Sequence, residues 1–303
     1  MPGIDRRKRW RWAVWFGMGI LLLVALVLWK ITPRFEETIV VDEDPEATKI
    51  LFIGNSLTFL EHVPAQVVDI AKAQDESIKL EVKQVAYPDY TLKDHWNRKR
   101  AKAAIESQNW DYVVLQGHSQ EPIKHPKLLR QYAKLFDEEV REAHGKTVLY
   151  ATWTDFDKLE LHDQILKVFK NLSNDADLTL APVGEALFLC LEEYPDIKLL
   201  REDRHHATDS GAYLVAATLY TTIFKKKIIH TPANMTYSQI NVDIATKKKL
   251  DGVALEACLK HHTITEPINP DVVEEKDKIQ ESEKGQSLQK IQQVQQEQEQ
   301  EIK

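Results

Sequence analysis

At 303 residues, with 43% hydrophobic and 29% charged side chains, the chain is long enough for one substantial folded domain plus appendages. A net charge of −7 argues against a general nucleic-acid binder, because phosphate neutralisation needs a basic face. Its two cysteines, Cys190 and Cys258, exclude a disulfide framework and a thiolate zinc site. Each lies in an apolar, helix-like stretch and reads as a buried thiol, with a single disulfide open to an oxidising compartment.

The first segment, residues 1–11, is basic: Arg6, Arg7, Lys8, Arg9 and Arg11 precede an apolar run with no charge over residues 12–29. As a helix that run would span about 27 Å, close to the hydrocarbon thickness of a bilayer. Only Lys30 and Arg34 follow closely, so the positive-inside rule predicts an anchor over residues 12–31 with a cytoplasmic N-terminus. The run is longer than a signal-peptide core, and WKITPRF lacks a small-x-small cleavage site, which favours a retained anchor over a cleaved leader. Either way the body of the protein is expected outside the cytoplasm. Residues 32–48 are acidic, contain proline and show no helical period; they read as a linker.

Residues 49–263 then alternate β-rich apolar runs with amphipathic stretches. KILFIGN reads as a buried strand, followed by a helix over residues 63–73. IKLEVKQVAY is a second strand, and Thr91 caps a predicted helix running to about residue 108. DYVVLQG and KTVLYATWT are the third and fourth strands, with a helix over residues 125–144 between them. A helix near residues 159–172 leads to the short strand LTLAPV. Helices around residues 184–193, 210–225 and 244–261 close the domain. This alternation predicts an α/β sandwich around a mostly parallel sheet, with the active site at the carboxyl ends of the strands. Residues 264–303, whose composition turns rich in Gln and Glu beyond Pro267 and Pro270, read as a disordered or weakly helical tail.

Chemistry-bearing residues lie where such a fold exposes them. Gly54, Asn55 and Ser56 fall on the turn after the first strand, so Ser56 either projects a nucleophilic hydroxyl or caps the next helix. Asp203 and His206 stand three residues apart just before a predicted helix. That spacing lets the carboxylate hold the histidine ring. Together the three supply the parts of a nucleophilic triad. Trp153 and Asp155, after the fourth strand, line the crevice or, for Trp153, fill the core. His261 and His262 end a helix, and no further metal ligands can be named around them.

FIGNSLT and DRHHATDSGAYLVA resemble the first and last blocks of the SGNH/GDSL hydrolase superfamily. WDYVVLQGHSQEP and APVGEALFLCLEEYPDIKLL resemble a divergent branch of it often described only as a domain of unknown function. The resemblance covers about residues 49–224. It implies a flavodoxin-like three-layer α/β/α sandwich, ester hydrolysis without a metal or other cofactor, Ser56 as nucleophile, His206 as general base and Asp203 as its orienting partner.

The middle blocks depart from the pattern. Where the family offers an oxyanion-hole glycine, this chain has Pro88, Asp89 and Tyr90; proline lacks the N–H, leaving Asp89 or Tyr90. Where the family has Gly-x-Asn, Gln116 and Ser119 stand in its place, with Gln116 the preferred amide donor. Asn55 completes the candidate oxyanion and substrate-binding set. The expected function is a membrane-anchored extracytoplasmic esterase acting on a small-molecule, glycan or lipid ester. The alternative is a tethered binding or scaffold protein that retains the fold. No protein partner can be named.

Overall fold

Ile50, Leu51, Phe52 and Ile53 are all fully buried, and they alternate between two separate cores. A strand covered on both faces needs such an unbroken apolar run, and this one sets the architecture. The computed structural model describes residues 35–155 and 158–263. In it, six strands form one sheet: β1 (Glu36–Val41), β2 (Thr48–Gly54), β3 (Leu80–Ala86), β4 (Tyr112–Leu115), β5 (Lys146–Tyr150) and β6 (Thr179–Ala181). Their spatial order is β1-β3-β2-β4-β5-β6, with β1 antiparallel to β3 and every other pairing parallel. The order reverses at β2, whose neighbours are β3 on one side and β4 on the other. Loops leaving the carboxyl ends of strands on either side of such a switch point open a crevice.

Ten helices are described: α1 (Ser56–Phe59), α2 (Val63–Gln74), α3 (Leu92–Arg98), α4 (Arg100–Glu106), α5 (Glu121–Lys124), α6 (Pro126–Glu142), α7 (His162–Ala176), α8 (Val183–Glu193), α9 (Asp209–Phe224) and α10 (Ile244–Lys260). On one face of the sheet, α2, α8, α9 and α10 pack on Ile50, Phe52, Val114 and Val148. On the other, α3, α4, α6 and α7 cover Leu51, Ile53, Val113 and Leu149. The predicted α/β sandwich with a mostly parallel sheet is thus the observed fold.

Two boundaries differ from expectation. The segment read as a linker contains β1: Ile39 and Val40 pack on the core, and Asp42 accepts from the Leu80 N–H at 2.9 Å and from Lys72 Nζ at 2.7 Å. Of its acidic residues, Glu36 is exposed and Glu37 partly buried on opposite faces of this edge strand. The helix expected from Thr91 to about residue 108 is two helices, broken where Lys99 adopts a left-handed conformation at φ 63°. The upstream end is fixed by a capping box in which Thr91 and Asp94 each bond the other's backbone N–H.

No helix among the described residues is long and apolar enough to cross a membrane. The anchor expected over residues 12–31 and the tail over 264–303 lie outside the described residues. Cys190 and Cys258 are both free and buried, so they do not pair.

Candidate active site

The turn after β2 is held from three sides. Asn55 N-caps α1 through its Oδ1, which accepts the Leu57 N–H at 3.1 Å, while its Nδ2 donates to the Tyr90 carbonyl at 3.1 Å. The Asn55 N–H itself donates to Gln116 Oε1 at 2.7 Å, and Thr58 Oγ1 donates to the same oxygen at 2.9 Å. Beneath the turn, the Gly54 carbonyl accepts from the Tyr87 N–H at 3.1 Å and from His95 Nε2 at 2.7 Å. His95 is fully buried, and burial pushes its ring down to about 4, so it is neutral and Nε2 carries the proton. Gly54 is required by crowding: a Cβ there would meet Thr58 Oγ1 at 2.2 Å and Gln116 Oε1 at 2.5 Å.

This bracing points Ser56 toward a second, independently built loop. Asp203 Oδ1 accepts the N–H groups of His205 and His206, each at 2.9 Å, closing a tight turn. Arg204 within it has a left-handed φ of 59°. The loop is fastened by the Arg201 N–H on the His206 carbonyl and by Thr208, which caps α9 at the Gly211 N–H. From this turn Asp203 Oδ2 lies 2.7 Å from His206 Nδ1, and His206 Nε2 lies 3.0 Å from Ser56 Oγ.

The carboxylate fixes the tautomer. With the proton on Nδ1 facing Asp203, Nε2 is left as the acceptor for the serine hydroxyl. Partial desolvation opposes ionisation of Asp203, but the bonds from the His206 ring and the two N–H groups outweigh it and hold the carboxyl well below the usual range. His205, the neighbouring imidazole, turns elsewhere. Its Nδ1 lies 2.9 Å from Asp155 Oδ1, and its carbonyl accepts from Trp153 Nε1 at 3.0 Å. Trp153 is therefore both core and crevice support, and Asp155 is part of the rim.

The candidate oxyanion donors separate clearly. Gln116 does not face the crevice: it is fully buried, its oxygen accepts from Asn55 and Thr58, and its NH2 donates to the Gly117 carbonyl. It is a brace, and the preference for it as a donor is corrected. Asn55 is likewise spent on capping and on Tyr90. The Tyr90 N–H closes a turn onto the Tyr87 carbonyl at 3.3 Å. Asp89, at the exposed tip of that turn with φ 59°, and Ser56, in the first turn of α1, have N–H groups with no hydrogen-bond partner among the described residues. The buried Ser119 hydroxyl also has none. His95 is a further residue of the site that no motif marks. The signal for His95 was its place three residues after Leu92, on the buried face of α3.

Beside the Asp155–His205 pair opens a cavity of about 240 Å³ with an apolar floor of Ile123, Trp153, Leu161 and Ile165. Ser119 and Asp155 form part of its polar wall. Close by, Glu121 Oε2 accepts the His118 N–H at 2.8 Å, and burial pushes the Glu121 carboxyl up to about 7.

The fold resembles that of solved SGNH hydrolase-like proteins. A protein from Slackia heliotrinireducens assigned to the SGNH hydrolases is 27% identical, with a TM-score of 0.50 covering 58% of this chain and 98% of that one. A DUF4886 family protein from Bacteroides uniformis ATCC 8492 superposes at a TM-score of 0.58 with 18% identity, over 73% of this chain and 98% of its own. A catalytic mutant of Axe2, an acetylxylan esterase from Geobacillus stearothermophilus, gives 0.50 with 16% identity, over 61% and 95%. No protein-family model matches the chain, and no curated protein matches it by sequence. The structural neighbours thus agree with the resemblance carried by FIGNSLT and DRHHATDSGAYLVA, including its branch of unknown function.

Proposed function

We propose that this chain is a serine esterase, anchored by residues 12–31 and working outside the cytoplasm. The observation that supports it best is the continuous relay from Asp203 Oδ2 through the His206 ring to Ser56 Oγ, at 2.7 and 3.0 Å, assembled from segments 150 residues apart. A helix cap alone does not require a tautomer-fixed histidine on its hydroxyl.

In this reading Ser56 Oγ attacks the ester carbonyl while His206 Nε2 takes the hydroxyl proton. The imidazolium is stabilised by Asp203. The tetrahedral oxyanion is received by the Ser56 N–H, with the Asp89 N–H and the Ser119 hydroxyl as the remaining candidates. Collapse breaks the C–O bond to the alcohol, which leaves with the proton from His206. Water, deprotonated by the same nitrogen, then attacks the acyl-enzyme and releases the acid and Ser56. The substrate is a carboxylic ester of a small molecule, glycan or lipid.

A fluorophosphonate probe tests the assignment. Wild type should be labelled stoichiometrically, Ser56→Ala not at all, and His206→Ala at a greatly reduced rate. Correctly folded wild type that takes no label would sink the nucleophile.

A further inference from the structure

The reversed edge strand has a consequence for where the substrate resides. We infer that the anchor holds the catalytic edge of the sheet against the bilayer, so that the ester is carried by a membrane-borne amphiphile. This rests on the esterase and anchor readings above and adds the substrate class.

Five parallel strands end at the crevice, but β1 runs the other way, so it is the start of β1 that lies at that edge. Glu36 stands opposite Val85, and the Phe35 carbonyl accepts the Ala86 N–H at 2.7 Å. Ala86 in turn stands opposite Gly54. At about 4.8 Å between neighbouring strands, Phe35 is two strands, or about 10 Å, from the residue that leads into Asn55 and Ser56. Side chains close the gap: the Phe35 ring packs 5.4 Å from Phe59, in the helix that Ser56 begins, and 5.6 Å from Tyr87.

Chain length then limits the tether. From residue 31, where the expected span ends, to Phe35 is four residues, which reach at most about 14 Å fully extended. Ser56 is therefore kept within about 30 Å of the hydrocarbon boundary, counting both steps and the two residues from Gly54 to Ser56. The opposite edge, where β2 begins at Thr48, lies about 20 Å further along the strands. A parallel first strand would have joined the anchor to that opposite edge and turned the crevice away from the membrane. Leu159, 40% exposed on the connection after β5, adds an apolar side chain to the catalytic edge.

The test uses the full chain in phosphatidylcholine proteoliposomes. Cys190 and Cys258 are fully buried, and burial pushes both thiols up to about 12, so maleimide will select an introduced cysteine. A donor dye on Glu202→Cys reports the catalytic edge and one on Glu76→Cys the opposite edge, with acceptor dye in the lipid. Transfer should be clearly greater from position 202. Inserting about twenty Gly/Ser residues between Pro33 and Arg34 should erase the difference, because a flexible linker of that length reaches about 25 Å. In the same liposomes the insertion should lower hydrolysis of a lipid-anchored fluorogenic ester at least about tenfold, while hydrolysis of a soluble ester stays unchanged.

Equal transfer from the two positions, or greater transfer from position 76, overturns the orientation. So does an insertion that leaves membrane-borne ester hydrolysis intact. The dye measurement does not depend on catalysis. A chain that shows the expected transfer but cuts neither ester and takes no phosphonate overturns the esterase reading, and the substrate class with it.

Discussion

Gln116 Oε1 accepts the N–H of Asn55 at 2.7 Å, which ties the end of β4 to the residue immediately before Ser56. The same oxygen holds Thr58, and the Gln116 N–H donates to the Ile53 carbonyl at 2.9 Å, so one residue fixes both sides of the switch point. Gln116→Leu keeps the volume and removes the acceptor, leaving the buried Asn55 N–H unsatisfied. The expected loss is about 2–4 kcal/mol of unfolding free energy, since each stranded buried group costs about 1–3 kcal/mol. Urea denaturation reads it. A variant as stable as wild type would show that the brace is not needed.

How much of this site could be read beforehand follows from what each residue's role depends on. Ser56, Asp203 and His206 were legible because a strand-end serine and an Asp-x-x-His turn are local patterns. Gln116 was legible as a strand-end polar residue but not in its direction, which is set by packing between β2 and β4. The break at Lys99 was hidden because the segment contains neither Gly nor Pro. β1 was missed because an edge strand buries little, so its acidic residues outweighed the Thr-Ile-Val-Val run in a reading based on composition. His95 belongs to no local motif; only the fold shows that it sits under Gly54.

His205 and His206 are adjacent imidazoles with different partners, and their substitutions should separate sharply. His206→Ala removes the group 3.0 Å from Ser56 Oγ and should lower kcat by about 10³-fold or more. His205→Ala removes the bond to Asp155 but leaves the backbone turn on Asp203, so kcat should fall by no more than about tenfold. Steady-state kinetics on a soluble ester compares them directly. Equal losses would mean that the two rings act as one unit.

Gly54→Ala places a methyl group 2.2 Å from Thr58 Oγ1 and 2.5 Å from Gln116 Oε1, both held by their hydrogen bonds. Neither can retreat without breaking the brace. Overpacking at such a point is expected to cost about 1–3 kcal/mol, and displacement of Ser56 should reduce phosphonate labelling as well. Thermal unfolding and labelling rate should fall together. A stable variant with normal labelling would show that the turn has slack.

Glu121 offers a pH signature distinct from the triad. It is almost fully buried beneath the loop that carries His118 and Ser119, and burial lifts its carboxyl to about 7. The unfolded chain ionises near the ordinary glutamate value of about 4.3. Between the two values the folded state binds the extra proton, so this residue's contribution to stability declines as pH rises from about 4.3 through 7 and is constant above. Glu121→Gln cannot ionise and escapes that loss. Relative to wild type the variant should therefore gain stability between pH 5 and pH 8, by at most about 3 kcal/mol. Asp203 has the opposite sign: its lowered carboxyl supports the fold above the ordinary range and loses that support only as pH falls through its folded value. It remains in both proteins, so the difference between them isolates Glu121. A difference in unfolding free energy that stays flat from pH 5 to pH 8 would mean that Glu121 is ionised in the fold across that range.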